Sequence, residues 1–240
     1  MAAVEPPLGS SASGRPHSFA ELVSHTPTQL PEVVVPIRAP KLIDGLTCVI
    51  FTREEIEKLA QCFCFSLVMK FLLQRPFLDE IRAFIRNRWG LDKQPIVSSM
   101  RRARNMFLRF SNEGDFFKAF SRENNEVDGK YYRIFSWNPD FSEENEPSTV
   151  PVWVTLPGLP PNLYHESFLR SLALPFGKYI QRYNSMRCAS RTDGARICVE
   201  MDAVVDPIPG FWIGDPRQPS SRYQEIIYEN LQAYCAHCHI

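Results

Sequence analysis

The chain carries no excess charge: 27 Lys and Arg offset 27 Asp and Glu over 240 residues. A globally basic nucleic-acid binder is therefore excluded, although local asymmetry is not. No apolar run reaches the roughly 18 residues a membrane-spanning helix needs, and no signal peptide opens the sequence. The expectation is an intracellular protein, in the nucleus, the cytoplasm or both, with no membrane partner. An even disulfide framework is missing too. The seven cysteines are irregularly spaced, which fits reduced thiols or metal ligands. Cys48, Cys62, Cys64, Cys188 and Cys198 sit among apolar neighbours and read as packing residues. Finally, the chain has no P-loop, no G-x-S-x-G and no H-E-x-x-H. His165 has no Cys or Ser partner in sight. Asp79-Glu80 and Glu143-Glu144 are adjacent pairs, and adjacency does not aim two carboxylates at one substrate. Neither an enzyme nor a small-molecule substrate is expected.

What is present is charge sorted along the chain. Residues 70–109 hold ten basic side chains against three acids, and residues 111–150 hold four basic against nine acidic. Opposite stretches cancel globally while leaving one basic face.

Residues 1–45 are rich in Pro, Ser and Ala with little apolar periodicity and read as a disordered arm. Order is expected from about Thr47. Thr52-Arg-Glu-Glu55 is a capping-box pattern opening a short helix. Ser66–Phe71 reads as a strand. Pro76 suits the first position of a helix carrying Phe77, Ile81, Phe84, Ile85 and Trp89 at helical spacing, closed by Gly90. Strands are expected at 96–100, 105–110 and 131–137, with a helix capped by Asn112 between the last two. The order is β-α-β-β-α-β, the split βαβ of ferredoxin-like folds and RNA-recognition modules. An acidic loop, Ser142–Ser148, leads to a second, smaller α+β half with strands at 150–154, 179–183, 195–202 and 223–231. The domain reading is an arm over 1–45, an RRM-like α+β domain over 46–141, a second half over 149–232 and a terminal segment over 233–240.

Strand alternation sorts the faces of the first unit. Met106, Leu108 and Phe110 are expected toward the helices, leaving Asn105, Phe107 and Arg109 on the open side. By the same logic Val68, Lys70, Tyr131, Arg133, Phe135 and Trp137 are open, as are Val97, Ser99 and Arg101. Arg101-Arg102-Ala-Arg104 lies at a hairpin. Lys70, Arg101, Arg102, Arg104, Arg109 and Arg133 beside Phe107, Tyr131 and Phe135 would neutralise phosphates and stack bases. The competing expectation is that the second half packs on this aromatic face.

The last six residues, Cys235-Ala-His-Cys238-His-Ile240, have the spacing that opens a C-x2-C-x4-H-x4-C zinc knuckle. Cys235 and Cys238 are the candidate metal ligands. Zinc is expected only if the knuckle is completed beyond residue 240, because two ligands do not hold a structural zinc.

These segments together resemble a plant family, the retrotransposon-associated domain of unknown function that precedes a CCHC zinc knuckle. It occurs in Gag-like or first-open-reading-frame proteins of LINE-type elements and in host genes derived from them. The matching runs are Ser66–Phe71, Arg104–Phe110, Trp137–Phe141, Val152–Pro160 (VWVTLPGLP), Ala195–Asp202 and Tyr234–Cys238. The resemblance implies binding of RNA or single-stranded nucleic acid with a knuckle downstream, and it implies no catalysis. The alternatives are a self-associating assembly module with its sheet face buried, and a degenerate element remnant.

Overall fold

The computed structural model describes residues 30–188 and 192–229. Most of the predicted arm, Cys235 and Cys238 lie outside the described residues.

One correction concerns the end of that arm. Strand β1 (Lys41–Ile43) pairs antiparallel with β2 (Leu46–Cys48). The turn between them is Asp44-Gly45, with φ of 49° and 79°. Two successive positive φ values match the twist of a two-residue hairpin, and Asp-Gly is among the pairs that adopt them most readily. Composition had hidden a hairpin whose signal was two residues long.

Helix α1 (Arg53–Ala60) opens on the expected capping box. The Thr52 hydroxyl accepts from the Glu55 N–H at 3.2 Å, and the Glu55 carboxylate accepts from the Thr52 N–H at 2.9 Å. A 3-10 turn, Gln61–Phe63, follows.

The first sheet contains β3 (Ser66–Phe71), β4 (Ile96–Ser99), β5 (Asn105–Arg109), β6 (Glu126–Val127) and β7 (Lys130–Ser136). Their order is β4-β5-β3-β7-β6, antiparallel throughout. Helix α2 (Leu78–Arg88) separates β3 from β4, and α3 (Glu113–Phe120) separates β5 from β6. The strand order and connections are those of the ferredoxin-like fold of RNA-recognition modules. Leu67, Met69, Phe71, Ile81, Ile85, Met106, Leu108 and Phe120 are buried between the helices and one sheet face. Pro76 lies before α2 rather than in it, because Phe77 is the extended cap residue. A second correction concerns β4. Val97 pairs with Leu108 and is 4% exposed, so Val97 and Ser99 face the core side and Ser98 the other. The pairing with β5 sets the face, and two-residue alternation alone leaves it ambiguous by one step.

The second half repeats the pattern. Its strands are β8 (Thr149–Pro157), β9 (Lys178–Arg182), β10 (Gly194–Asp202) and β13 (Ile227–Glu229), with α4 (Glu166–Ala173) between β8 and β9. Their order, β13-β8-β10-β9, is again fourth, first, third, second. In place of a second helix the chain forms a hairpin, β11 (Gly210–Ile213) with β12 (Arg222–Glu225). The single strand expected over 223–231 is therefore two strands in different sheets. Buried Ile226 separates them, its N–H donating to the Pro209 carbonyl at 3.0 Å.

The halves meet through the end of α3. Ile180 and Cys198 join the first core, and Trp153 packs against it. Trp153 Nε1 donates to the Ser121 carbonyl oxygen at 2.8 Å, the Gln181 amide bonds the Ser121 hydroxyl, and Arg196 reaches Glu123 at 2.8 Å. The face of the second sheet that carries Trp153, Arg196 and Cys198 is thus turned toward α3. The expectation that inter-half packing uses the aromatic face of the first sheet is met only along β7, where Tyr131, Arg133 and Phe135 share a cavity wall with residues 150–153; the contacts above run through α3 instead.

Candidate nucleic-acid interface

The face of the first sheet away from its helices is laid out in rows by the register. Lys70 pairs with Asn105 on one side and Arg133 on the other, giving a polar row across three strands. The next row is Phe107, Val68 and Phe135. Beyond it Arg109 pairs with Ser66, and the Trp137 N–H donates to the Ser66 carbonyl. Strands lie about 4.8 Å apart, so the polar row spans roughly 10 Å.

This face is covered by the protein's own chain. Phe63, from the 3-10 turn, meets Phe107 and Trp137 edge-on, at centroid separations of 6.0 and 5.4 Å. Phe107 and Trp137 are themselves perpendicular at 5.8 Å. Val68 is fully buried and Phe135 is 2% exposed, whereas Tyr131 remains 61% exposed. Of the three predicted stacking rings, only Tyr131 presents an open face here.

The acidic loop covers the cations. Glu146, with only 8% of its side chain exposed, pairs with both Lys70 and Arg133, the latter at 2.6 Å. The Glu143 carboxylate accepts from the successive backbone N–H groups of Arg101 and Arg102 at 3.2 and 2.9 Å, and from Asn105 Nδ2 at 3.0 Å. Glu144 pairs with the Arg101 and Arg102 guanidinium groups. A second tether comes from Arg53 in α1, which holds Asp140 through two bonds of 2.8 Å. Loop and 3-10 turn together make a lid over the rows.

Sequence-predicted residues thus divide. Lys70, Phe107, Arg109, Arg133 and Phe135 share the face, with Tyr131 at its β6 side and Arg101 and Arg102 at the turn between β4 and β5. Arg104 points elsewhere, donating to the Leu72 carbonyl at 2.9 Å. Asn105 stands on the open face as expected, whereas Phe63, Glu143, Glu144 and Glu146 were not among the predicted residues. Their signal was present: the acidic stretch follows the basic one directly, and its charge had to go somewhere.

A cavity of about 420 Å³ opens beside the face, between β7 and the start of β8. Tyr131, Arg133, Phe135 and Glu146 belong to its wall, as do Arg122, Asn125 and Tyr132. Asn125 Oδ1 is buried without a hydrogen-bond partner, and the Tyr132 hydroxyl lies against the Arg122 guanidinium. Burial pushes the Tyr132 phenol up to about 12, with the nearby Arg122 charge opposing the rise. On the far wall Arg196 lies 4.3 Å over the Trp153 ring and bonds Glu229 at 2.6 Å.

Among the described residues, no three His, Cys, Asp or Glu side chains gather as a metal site, and no helix is long and apolar enough to cross a membrane.

No protein-family model and no curated protein matches the chain. Among solved structures, it is similar to the RNA-binding domain of Hrp1 in complex with RNA, at 13% identity and a TM-score of 0.27, covering 59% of this chain and 82% of that one. It is also similar to the Sex-lethal protein–RNA complex, at 16% identity and a TM-score of 0.26, covering 69% and 98%. A third is the first two RRM domains of yeast poly(U)-binding protein Pub1, at 14% and 0.24, covering 68% and 98%.

Proposed function

We propose that this chain binds single-stranded nucleic acid, RNA in particular, on the first sheet face. The observation that carries the reading is the coincidence, on one surface, of anion-binding donors and aromatic rings. Lys70, Arg101, Arg102, Arg133 and two successive backbone N–H groups all engage carboxylates there. Guanidinium groups and paired backbone N–H groups bind phosphate by the same geometry. Phe107, Phe135 and Tyr131 stand in adjoining rows, where rings take up unstacked bases. The neighbouring cavity, walled by Tyr131, Arg133 and Phe135, has room for a base splayed from the strand. The origin of the chain in a plant retroelement, with Cys235 and Cys238 opening a zinc knuckle, belongs to the same proposal.

The test is fluorescence anisotropy of the full chain with a short labelled single-stranded RNA, across a salt series and with a zinc chelator. Binding that weakens with salt and ignores the chelator supports the reading. Absence of binding at low salt defeats it.

A second reading, self-association, is favoured by one observation. Leu42, Leu46, Val49, Ile50 and Phe51 on and after the N-terminal hairpin are each 44% or more exposed. Apolar residues clustered this way mark contact surfaces. A sedimentation-equilibrium mass that stays at the monomer value at high concentration would eliminate it.

A further inference from the structure

The acidic loop does more than neutralise nearby charge. Each carboxylate sits on donors arranged for an anion. Glu143 lies in a nest of two successive backbone N–H groups with the Asn105 amide as third donor. Such nests are anion sites whatever the anion. Glu144 is held between two guanidinium groups, and Glu146 between a lysine and an arginine on neighbouring strands. Three acids within four consecutive residues therefore occupy three separate donor sets in order along the chain. A solvated acidic loop has no reason to do so, since exposed ion pairs are individually weak.

We infer that these donor sets are three phosphate subsites and that the loop fills them in cis, so nucleic acid binds by displacing Glu143, Glu144 and Glu146. The inference rests on the nucleic-acid reading above. The subsites are the 101–102 backbone with Asn105, the Arg101–Arg102 guanidinium pair, and Lys70 with Arg133. The ligand class is the phosphodiester backbone of a single strand. One displacement thereby frees all three subsites together.

The competition is intramolecular. A tethered competitor acts at high effective concentration, on the order of millimolar for a short linker. The free protein is thus held mostly closed, and apparent affinity is reduced in proportion to the small open fraction. Salt dependence carries a second signature. Binding releases cations condensed on the nucleic acid, but each carboxylate displaced from the loop takes cations up again and offsets part of that release. Freeing Lys70, Arg101, Arg102 and Arg133 should steepen the salt slope, each new phosphate contact adding about 0.7 to its magnitude on a single strand.

The experiment compares the full chain with Glu143→Gln/Glu144→Gln/Glu146→Gln. A control, Glu54→Gln/Glu113→Gln/Asp128→Asn, changes net charge equally but away from the face. The probe is one labelled single-stranded RNA over a salt series. The expected result is about tenfold tighter binding and a steeper slope for the loop variant, with a much smaller change in the control. Equal affinity and slope for wild type and loop variant overturn the inference while leaving the nucleic-acid reading intact. An equal gain in the control also overturns it, by assigning the effect to net charge. Failure of every protein to bind at low salt overturns both readings. Because Glu146 is buried, the triple variant is checked by circular dichroism. If it does not fold, Glu143→Gln/Glu144→Gln decides the matter, since Glu144 is half exposed: a smaller gain with a steeper slope supports the inference, and no change overturns it.

Discussion

Trp153 and Ser121 join the two halves: the indole Nε1 of one donates to the carbonyl oxygen of the other at 2.8 Å. The ring is also packed against the first core and lies under the Arg196 guanidinium. Trp153→Phe keeps most of the packing and loses the donor, so it should cost about 1 kcal/mol. Trp153→Ala removes the ring and should cost about 3 kcal/mol. Urea unfolding of both variants checks the order.

Asp115 should set an acid limit on stability. Its side chain is buried, which by itself would raise its pKa. Hydrogen bonds from the Asp92 N–H, Asn112 Nδ2 and the Lys93 N–H, together with the Lys118 charge, outweigh burial and hold it below the usual value. A lowered folded pKa contributes stability that is present above the unfolded value, about 3.9, and is lost as pH falls through the folded one. Unfolding free energy should therefore decline below about pH 4. Asp115→Asn should lose roughly 1–3 kcal/mol at neutral pH and show a shallower decline in acid. Denaturant titrations at several pH values test this.

Arg101→Glu with Arg104→Glu should weaken RNA binding and flatten its salt slope. Most of the effect should belong to Arg101, because Arg104 donates to the Leu72 carbonyl and lies off the rows. Arg101→Glu alone should reproduce the larger part of the loss. Unchanged affinity and slope in the double variant would place the site elsewhere.

Cysteine reactivity should report the inter-half contact. Cys198 is fully buried within the first core cluster, and burial pushes its thiol pKa well up. Cys64 and Cys188 are exposed. Alkylation of the native chain, mapped by mass spectrometry, should label Cys64 and Cys188 and spare Cys198 until denaturant is added. Prompt labelling of Cys198 would show that the halves separate readily.

Much of this architecture is legible in the residues. The capping box at Thr52 and Glu55, the alternation of Met106, Leu108 and Phe110, and the helical spacing of Ile81 and Ile85 are local signals, and the elements follow them. The hairpin at Asp44-Gly45 is equally local but is easily lost in a Pro-rich background. What alternation could not decide was the face of β4, because Val97 takes its orientation from Leu108 across a strand pair. The lid is harder still. Glu143, Glu144 and Glu146 meet partners up to 76 positions away, as Glu146 does Lys70, and no spacing rule connects them. Only the charge imbalance hinted at the pairing. The split of 223–231 at Ile226 depends on Pro209, an equally remote partner.

The two halves share a strand order, yet their faces are not equivalent. One is covered by the 3-10 turn and the acidic loop, and the other is turned toward α3. A duplicated topology would suggest two grips on one strand, with the avidity that two grips bring. The burial of the second face argues for monovalence instead: one chain, one short stretch of nucleic acid. Length of footprint and cooperativity would then have to come from additional chains or segments. A stoichiometry of one short oligonucleotide per chain would follow from the packing of Trp153 against the first core.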